Sequence, residues 1–188
     1  MPSVFSHPVV PLAIVTAVGS GKVSFRLFLA GVLFAIIPDA DVIMFRFGIS
    51  YDHLLGHRGF FHSPFFAFIA SLTGALAHRA LRSTYRTAFI VLFLSMLMHG
   101  ILDAATNGGL GIAFLSPFSN HRYFFPWQPI AVSPFGVKSF FSSRGLMIIK
   151  SELIWVWSPI LTIGFLFFLL RHINMPKIFV QRTRSTRR

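Results

Sequence analysis

Thr87–Ala104 reads TAFIVLFLSMLMHGILDA. These 18 residues hold no Lys, Arg or Glu, and at ~1.5 Å per residue they make a helix of roughly 27 Å, close to the ~30 Å hydrocarbon thickness of a bilayer. The stretch reads as a membrane helix. Its two ionisable residues, His99 and Asp103, stand four apart near its far end and so share one helix face. The rest of the chain has the same character: of 188 residues 54% are hydrophobic, only 12% are charged and 24 are Phe, with a mean hydropathy of +0.70. That is too apolar for a soluble globule of this size. The expected fold is all-α, a polytopic membrane helical bundle of about five membrane segments with a short-helix or re-entrant region before the last. Residues 1–170 form one domain and 171–188 a basic cytoplasmic tail.

Outward from this helix, apolar runs alternate with charged turns. Upstream, Arg79, Arg82 and Arg86 mark a turn after a helix that Ser63-Pro64 opens and that reaches about Leu81; Ser63 is a suitable cap and Pro64 falls in the first turn, where a missing N–H is harmless. Phe25 to Ile37 is another apolar run, ended or kinked by Pro38-Asp39-Ala40-Asp41. Val9 to Val18 is the first, with Ser6 as candidate cap and Pro8 near its start. No Lys or Arg precedes it, so it lacks the n-region of a secretory signal and reads as a retained helix. Downstream, Pro117, Pro126, Pro129 and Pro134 break Leu110 to Lys150 into short pieces, and Tyr123, Phe124, Phe125 and Trp127 suit a membrane–water boundary. Leu153 to Leu170 is the last span, with a kink expected at Pro159.

The 17 Lys and Arg against five acidic residues give a net charge of +12. They gather in short loops and the tail rather than along a face with interleaved aromatics, which marks membrane topology and excludes nucleic acid as the partner. Threading the helices up and down puts Lys22, Arg26, Arg79, Arg82, Arg86 and six tail residues (Arg171, Lys177, Arg182, Arg184, Arg187, Arg188) on one side, against Arg46, Arg58, Arg122, Lys138, Arg144 and Lys150 on the other. The richer side is expected to be cytoplasmic.

The opposite side collects His7, Asp39, Asp41, His57, His62, His99 and Asp103 at four helix ends. Asp39 lies 13 residues after Arg26, and His99 lies 13 after Arg86, so each sits ~20 Å from the basic loops. The layer is thus sunk in the outer half of the membrane, where ionisable groups need a partner, an ion or water. With no cysteine, any metal must be held by imidazole and oxygen, a donor set that suits Zn, with Mn or Fe as alternatives. His99 and Asp103 can reach one ion, and Asp39 and Asp41 can turn to the same place. For each pair taken alone, the alternative is a buried His–Asp hydrogen bond between helices. His78 and His172 fall in basic, solvated or lipid-facing positions, and Asp52, His53 and His121 are peripheral.

The densest stretch is His57-Arg58-Gly59-Phe60-Phe61-His62-Ser63. Together with the early His7, Pro38-Asp39-Ala40-Asp41, His99-x-x-x-Asp103, Asn107-Gly108-Gly109 and Ser116-Pro117-Phe118, it resembles the bacterial YdjM-like family of predicted inner-membrane, metal-dependent hydrolases over about residues 5 to 160. The resemblance implies a multi-pass inner-membrane protein with a divalent metal. Phe61 departs from the pattern, standing where many relatives carry a small hydroxyl residue such as Thr. A remoter similarity, on His-x-x-x-Asp and multiple His/Asp ligands, is to zinc phospholipases and nucleases of the phospholipase C type.

The expected function is a membrane-embedded hydrolase in which a metal-activated water attacks an amphiphilic substrate, such as a phosphoester, near the outer leaflet. The metal ligands are drawn from the seven His and Asp residues named above. Arg58 is a candidate for binding an anionic group, with a counter-ion to the aspartates as its alternative role. Glu152, at the start of the last helix, is a candidate general base or a helix-start acid. The partners are membrane lipids and the substrate. A metal-binding transporter or sensor is the competing class; it requires a polar path to the cytoplasmic side, whereas Leu27 to Ile37 and Phe89 to Leu94 are almost wholly apolar.

Overall fold

The computed structural model describes residues 2–133 and 142–173; Pro134, Lys138 and the tail beyond Ile173 lie outside them. In order, the helices are α1 (Val9–Val18), α2 (Phe25–Ile36), α3 (Pro64–Ala75), α4 (Tyr85–Ala104), α5 (Ser143–Glu152) and α6 (Ser158–Ile173). Tight three-residue turns prolong α2 through Ile37–Phe47, and a single wide turn, Leu153–Trp157, fuses α5 to α6. The described residues contain no strand, only two isolated bridges, Thr106 with Ile130 and Ile112 with Tyr123. Three helical stretches are long and apolar enough to cross a membrane: Phe25–Phe47 (23 residues), Tyr85–Ala104 (20) and Ser143–Ile173 (31). Two more, Val9–Val18 and Pro64–Ala75, are apolar but short.

The boundaries differ from the sequence reading where backbone chemistry intervenes. Pro38 ends the α-helical turns of α2 at Ile36, as expected. It lacks the N–H that would reach the carbonyl of Phe34, and the chain tightens and continues to Phe47. α3 stops at Ala75 rather than Leu81, because the N–H groups of Ala77 and His78 turn to carbonyls three residues back. The last helix starts at Ser143, ten residues earlier than expected, and it widens just before Pro159. There the Leu153 carbonyl accepts the Ser158 backbone N–H across the wide turn and also the Ser158 hydroxyl at 2.7 Å. Ser63 caps α3 by accepting from Phe66 N–H at 3.1 Å. Ser6 is not a cap; its hydroxyl goes to Glu152. Between Ala104 and Ser133 the prolines give turns and bridges in place of short helices.

Helix packing follows membrane rules, with small residues where backbones approach. α1 lies on α6, while α2 and α3 both lie on α4. A Cβ at Gly31 would stand 3.0 Å from Pro11 Cβ, and one at Gly164 would stand 2.9 Å from the Ala13 carbonyl. Val23, Leu27, Ala88, Val91 and Leu92 make the core nearer the basic turns; Val9, Leu102, Ile130 and Val156 make the one at the other end. Outward, Phe25 and Leu33 are 72% and 58% exposed, as expected of side chains that meet lipid.

The two short helices explain the depth of the polar layer. α1 has 10 residues and α3 has 12, lengths of ~15 and ~18 Å. His7 and His62, just before them, are therefore held about half a bilayer from the basic turns at their other ends. α4 meets the second of these starts through Gly100, where a Cβ would lie 2.6 Å from the His62 carbonyl. Gly100→Ala is expected to lower stability by about 1–3 kcal/mol through overpacking and to weaken metal retention. Gly21→Ala, which meets nothing within 4 Å, serves as control. Thermal unfolding of both variants measures this, and equal melting temperatures would contradict the contact.

Candidate metal centre

Four elements deliver the ligand atoms. His7 precedes α1, Asp39 and Asp41 lie in the tightened turns after α2, His62 ends the turn before α3, and His99 and Asp103 lie on the last turns of α4. Asp39, His62, His99 and Asp103 each offer a ligand atom, all within 4.8 Å of one another, and all four are buried. His62 Nε2 stands 3.6 Å from Asp39 Oδ1 and 3.5 Å from Asp103 Oδ2; His99 Nε2 stands 3.3 and 3.8 Å from the same two oxygens. His7 Nε2 faces the other oxygens, Asp39 Oδ2 at 3.9 Å and Asp103 Oδ1 at 4.0 Å, with its ring stacked on His99 at 3.8 Å. Two ligands at ~2.05 Å from one ion at a tetrahedral angle are about 3.3 Å apart. The near edges of the cluster match that spacing.

The outer contacts orient these atoms. Asp41 Oδ1 pairs with His57 Nδ1 at 2.6 Å, while Asp41 Oδ2 takes the Arg58 backbone N–H at 3.2 Å and meets His62 Nδ1 at 3.1 Å. The Ala35 carbonyl meets His99 Nδ1 at 2.7 Å. The Ala35 carbonyl against His99 Nδ1 fixes the proton there and leaves Nε2 with its lone pair turned inward, the usual arrangement behind a metal-ligating histidine; His62 Nδ1 lies close to the Asp41 carboxylate without making a hydrogen bond to it. Nε2 of His7, His62 and His99 and all four carboxylate oxygens of Asp39 and Asp103 have no hydrogen-bond partner among the described residues. At ~1–3 kcal/mol for each unmet buried group, such a set would cost on the order of 10 kcal/mol, as much as a domain's whole stability. Among the described residues three buried aspartates face one buried arginine, so with neutral imidazoles these side chains carry a formal charge of −2. A divalent ion fits the donors, their spacing and that charge.

Arg58 is wholly buried and sits at φ +64°, in the left-handed region, a conformation that costs a non-glycine residue ~1–2 kcal/mol. Its Nε lies 3.3 Å from Asp103 Oδ2, Nη1 donates to the Gly108 carbonyl at 2.6 Å, and Nη2 donates to Thr106 Oγ1 at 2.8 Å. The guanidinium is thus committed to Asp103 and the turn after α4, the counter-ion alternative. Glu152 does not start a helix; it ends α5 inside the continuous stretch, buried, and accepts from Ser3 N–H, from the Ser3 hydroxyl at 2.6 Å and from the Ser6 hydroxyl at 2.7 Å. It ties down the segment that carries His7 and is not in either cluster of close ligand atoms. Asp41 and His57, joined to each other, form the second such cluster with His62. Asp52, His53 and His121 stay exposed at the rim, and His172 is exposed on α6.

Sequence reasoning passed over Arg122, which donates to the carbonyls of His57, Tyr51 and His53 at 2.8, 2.9 and 3.1 Å. It binds the loop before His57 to the segment after α4. Burial raises the Tyr51 phenol above its ordinary pKa, keeping a neutral ring edge-on against His57 at 5.3 Å. Thr106 and Gly108 were visible only as part of a turn, since a hydroxyl and a carbonyl acceptor carry no spacing signal.

The profile of the YdjM inner membrane protein family matches residues 1–175. The chain belongs to that family. Inner membrane protein YbcI of Escherichia coli (strain K12) is 42% identical over 160 residues, covering 85% of this chain and 92% of that protein. No solved structure gives a significant match. Membership in the YdjM family and the long apolar helices agree on a transmembrane protein of the inner membrane, and the buried His/Asp groups on a place that can hold a metal. Elemental analysis of purified variants tests this: alanine at His62, His99 or Asp103 and asparagine at Asp39 should lose most bound metal. Asp41→Asn should weaken affinity 10–100-fold through the ring orientations, while His78→Ala and His172→Ala leave it unchanged. Equal metal content throughout would defeat the assignment.

Proposed function

We propose that the protein is a metal-dependent hydrolase acting on an amphiphilic phosphoester, with its site toward the periplasmic half of the inner membrane and its C-terminus cytoplasmic. The observation that carries the reading is the inward-facing set of His7, His62, His99, Asp39 and Asp103, with its net negative charge at membrane depth. A divalent ion held there, zinc being the best match to this donor set, supplies a Lewis acid that lowers the pKa of water to ~7. The Ala35 carbonyl keeps the imidazole of His99 in the ligating tautomer, and the Asp41 carboxylate lies 3.1 Å from His62 Nδ1. Arg58 holds Asp103 in place and offsets part of its charge, acting on the reaction through that carboxylate.

Access is on the Asp39 side, where that residue is 9% exposed while His99 and Asp103 are fully closed. A cavity of about 230 Å³ lies beside Asp41, two residues on, walled by Ile37, Ala40, Ile43, Met44, Phe61 and Phe66. This is a slot for the apolar part of a substrate, and Phe61 builds its wall in place of the small hydroxyl residue expected there. An enzyme is favoured over a transporter because the interior toward the basic turns is apolar, apart from the hydroxyls of Ser71 and Ser95.

Purified, metal-loaded protein in lipid vesicles should cleave phospholipid or lipid-linked phosphate. Asp39→Asn should lower turnover at least 100-fold, and Phe61→Ala should raise KM for long-chain more than for short-chain substrates. Hydrolysis of amides or peptides but of no phosphoester would sink the substrate class. For sidedness, a cysteine at Leu115 should label from outside intact cells; labelling only after permeabilisation would reverse the orientation.

A further inference from the structure

The end of the bundle away from the metal centre holds a cavity that the hydrolase reading does not use. About 790 Å³ in volume, it opens between the α1–α2 turn and the α3–α4 turn. Its floor is apolar, with Ile14, Val18, Val23 and Val91, and its rim carries Lys22, Arg79 and Arg82. Arg171, from α6, adds a fourth cation beside it, its guanidinium lying against Gly19.

The charge here is uncompensated among the described residues. The chain has only five acidic residues, and four of them, Asp39, Asp41, Asp103 and Glu152, are buried in or beside the polar layer at the far ends of the helices, while Asp52 sits in the loop before His57. Among the described residues no carboxylate is placed to meet Lys22, Arg79 or Arg82, which are all exposed. Cations in this setting draw anions from the medium, and at the end of a membrane helix the abundant anions are lipid phosphates.

A second cavity says what else the ligand carries. About 430 Å³ in volume, it runs between α1, α4 and α6 and is lined wholly by apolar residues, among them Ala17, Leu94, Met98 and Ile163. It shares Ile14, Val18 and Ile90 with the first, so a charged mouth adjoins an apolar groove along the lipid-facing side. Gly164 and Ala13 keep α1 and α6 close, so the groove is a fixed seam of the packing.

We propose that this end of the protein binds an anionic phospholipid, its phosphate among Lys22, Arg79 and Arg82 and one acyl chain in the groove between α1, α4 and α6. The lipid is a resident of the fold, on the opposite end of the bundle from the hydrolytic substrate. It neutralises the cations and fills the seam between the short α1 and the long last helix, whose packing sets the height of His7.

The test is native mass spectrometry and thermal unfolding of the full-length, detergent-solubilised protein with phosphatidylglycerol, phosphatidylcholine of the same chains, and glycerol 3-phosphate. Phosphatidylglycerol should bind and raise the melting temperature, and the other two should not match it. The variant Lys22→Ala/Arg79→Ala/Arg82→Gly should bind it about 100-fold more weakly, from ~1 kcal/mol per cation. Glycine is chosen at position 82 because φ there is +50°. Ala17→Phe, which fills the groove, should weaken binding with the cations intact, and Arg46→Ala, at the other end, should bind as the parent does. Equal affinity for phosphatidylcholine, unchanged affinity in the triple variant, or full competition by glycerol 3-phosphate would each overturn the proposal.

Discussion

Negative charge buried at membrane depth is the constraint on which this structure depends. Asp39 and Asp103 face each other across His62 and His99, with oxygens 3.3–3.8 Å from imidazole nitrogens, and among the described residues Arg58 is the buried side chain with a fixed positive charge. Hydrocarbon offers no water to such groups, so the protein must surround them with its own donors or with an ion. The fold does both. Asp41 is met by His57, His62 and the Arg58 backbone, and the inner atoms of the remaining groups turn to a common point.

This demand shapes the helices. α1 and α3 are too short to span a bilayer, and their shortness puts His7 and His62 at the height of His99 and Asp103 on the long α4. The tightened turns after α2 keep Asp39 and Asp41 in helical register past Pro38, and Gly100 lets the His62 backbone close on α4. Arg58, held in a left-handed conformation, fastens the turn after α4 to the same layer. The non-helical segment that follows closes the layer from outside, through Ala113 N–H to the Arg58 carbonyl and through Arg122.

Much of this is legible in the chain because membrane helices are written in long apolar runs and ionisable residues are rare among them. The start of α1, the cap of α3 by Ser63 and the level shared by four helix ends follow from spacing alone. What spacing does not carry is direction. Arg58 lies between two histidines in sequence, yet its side chain turns to Asp103 and Thr106. Glu152 reads as a helix-start acid but sits within a helix that begins nine residues before it, bound to serines near the N-terminus. Asp41 and Asp39 are two apart, and only the tight turn places one behind the imidazoles and the other among their inner nitrogens.

The central claim is that the inward atoms of His62, His99, Asp39 and Asp103 surround a divalent ion. X-ray absorption at the edge of whichever first-row metal copurifies reads that coordination directly. The account predicts a shell of nitrogen and oxygen at about 2.0–2.2 Å, with the outer-shell scattering of at least two imidazoles, and loss of part of that scattering in His99→Ala. A protein that carries no such metal, or one whose metal shows an oxygen-only shell without imidazole, would contradict it.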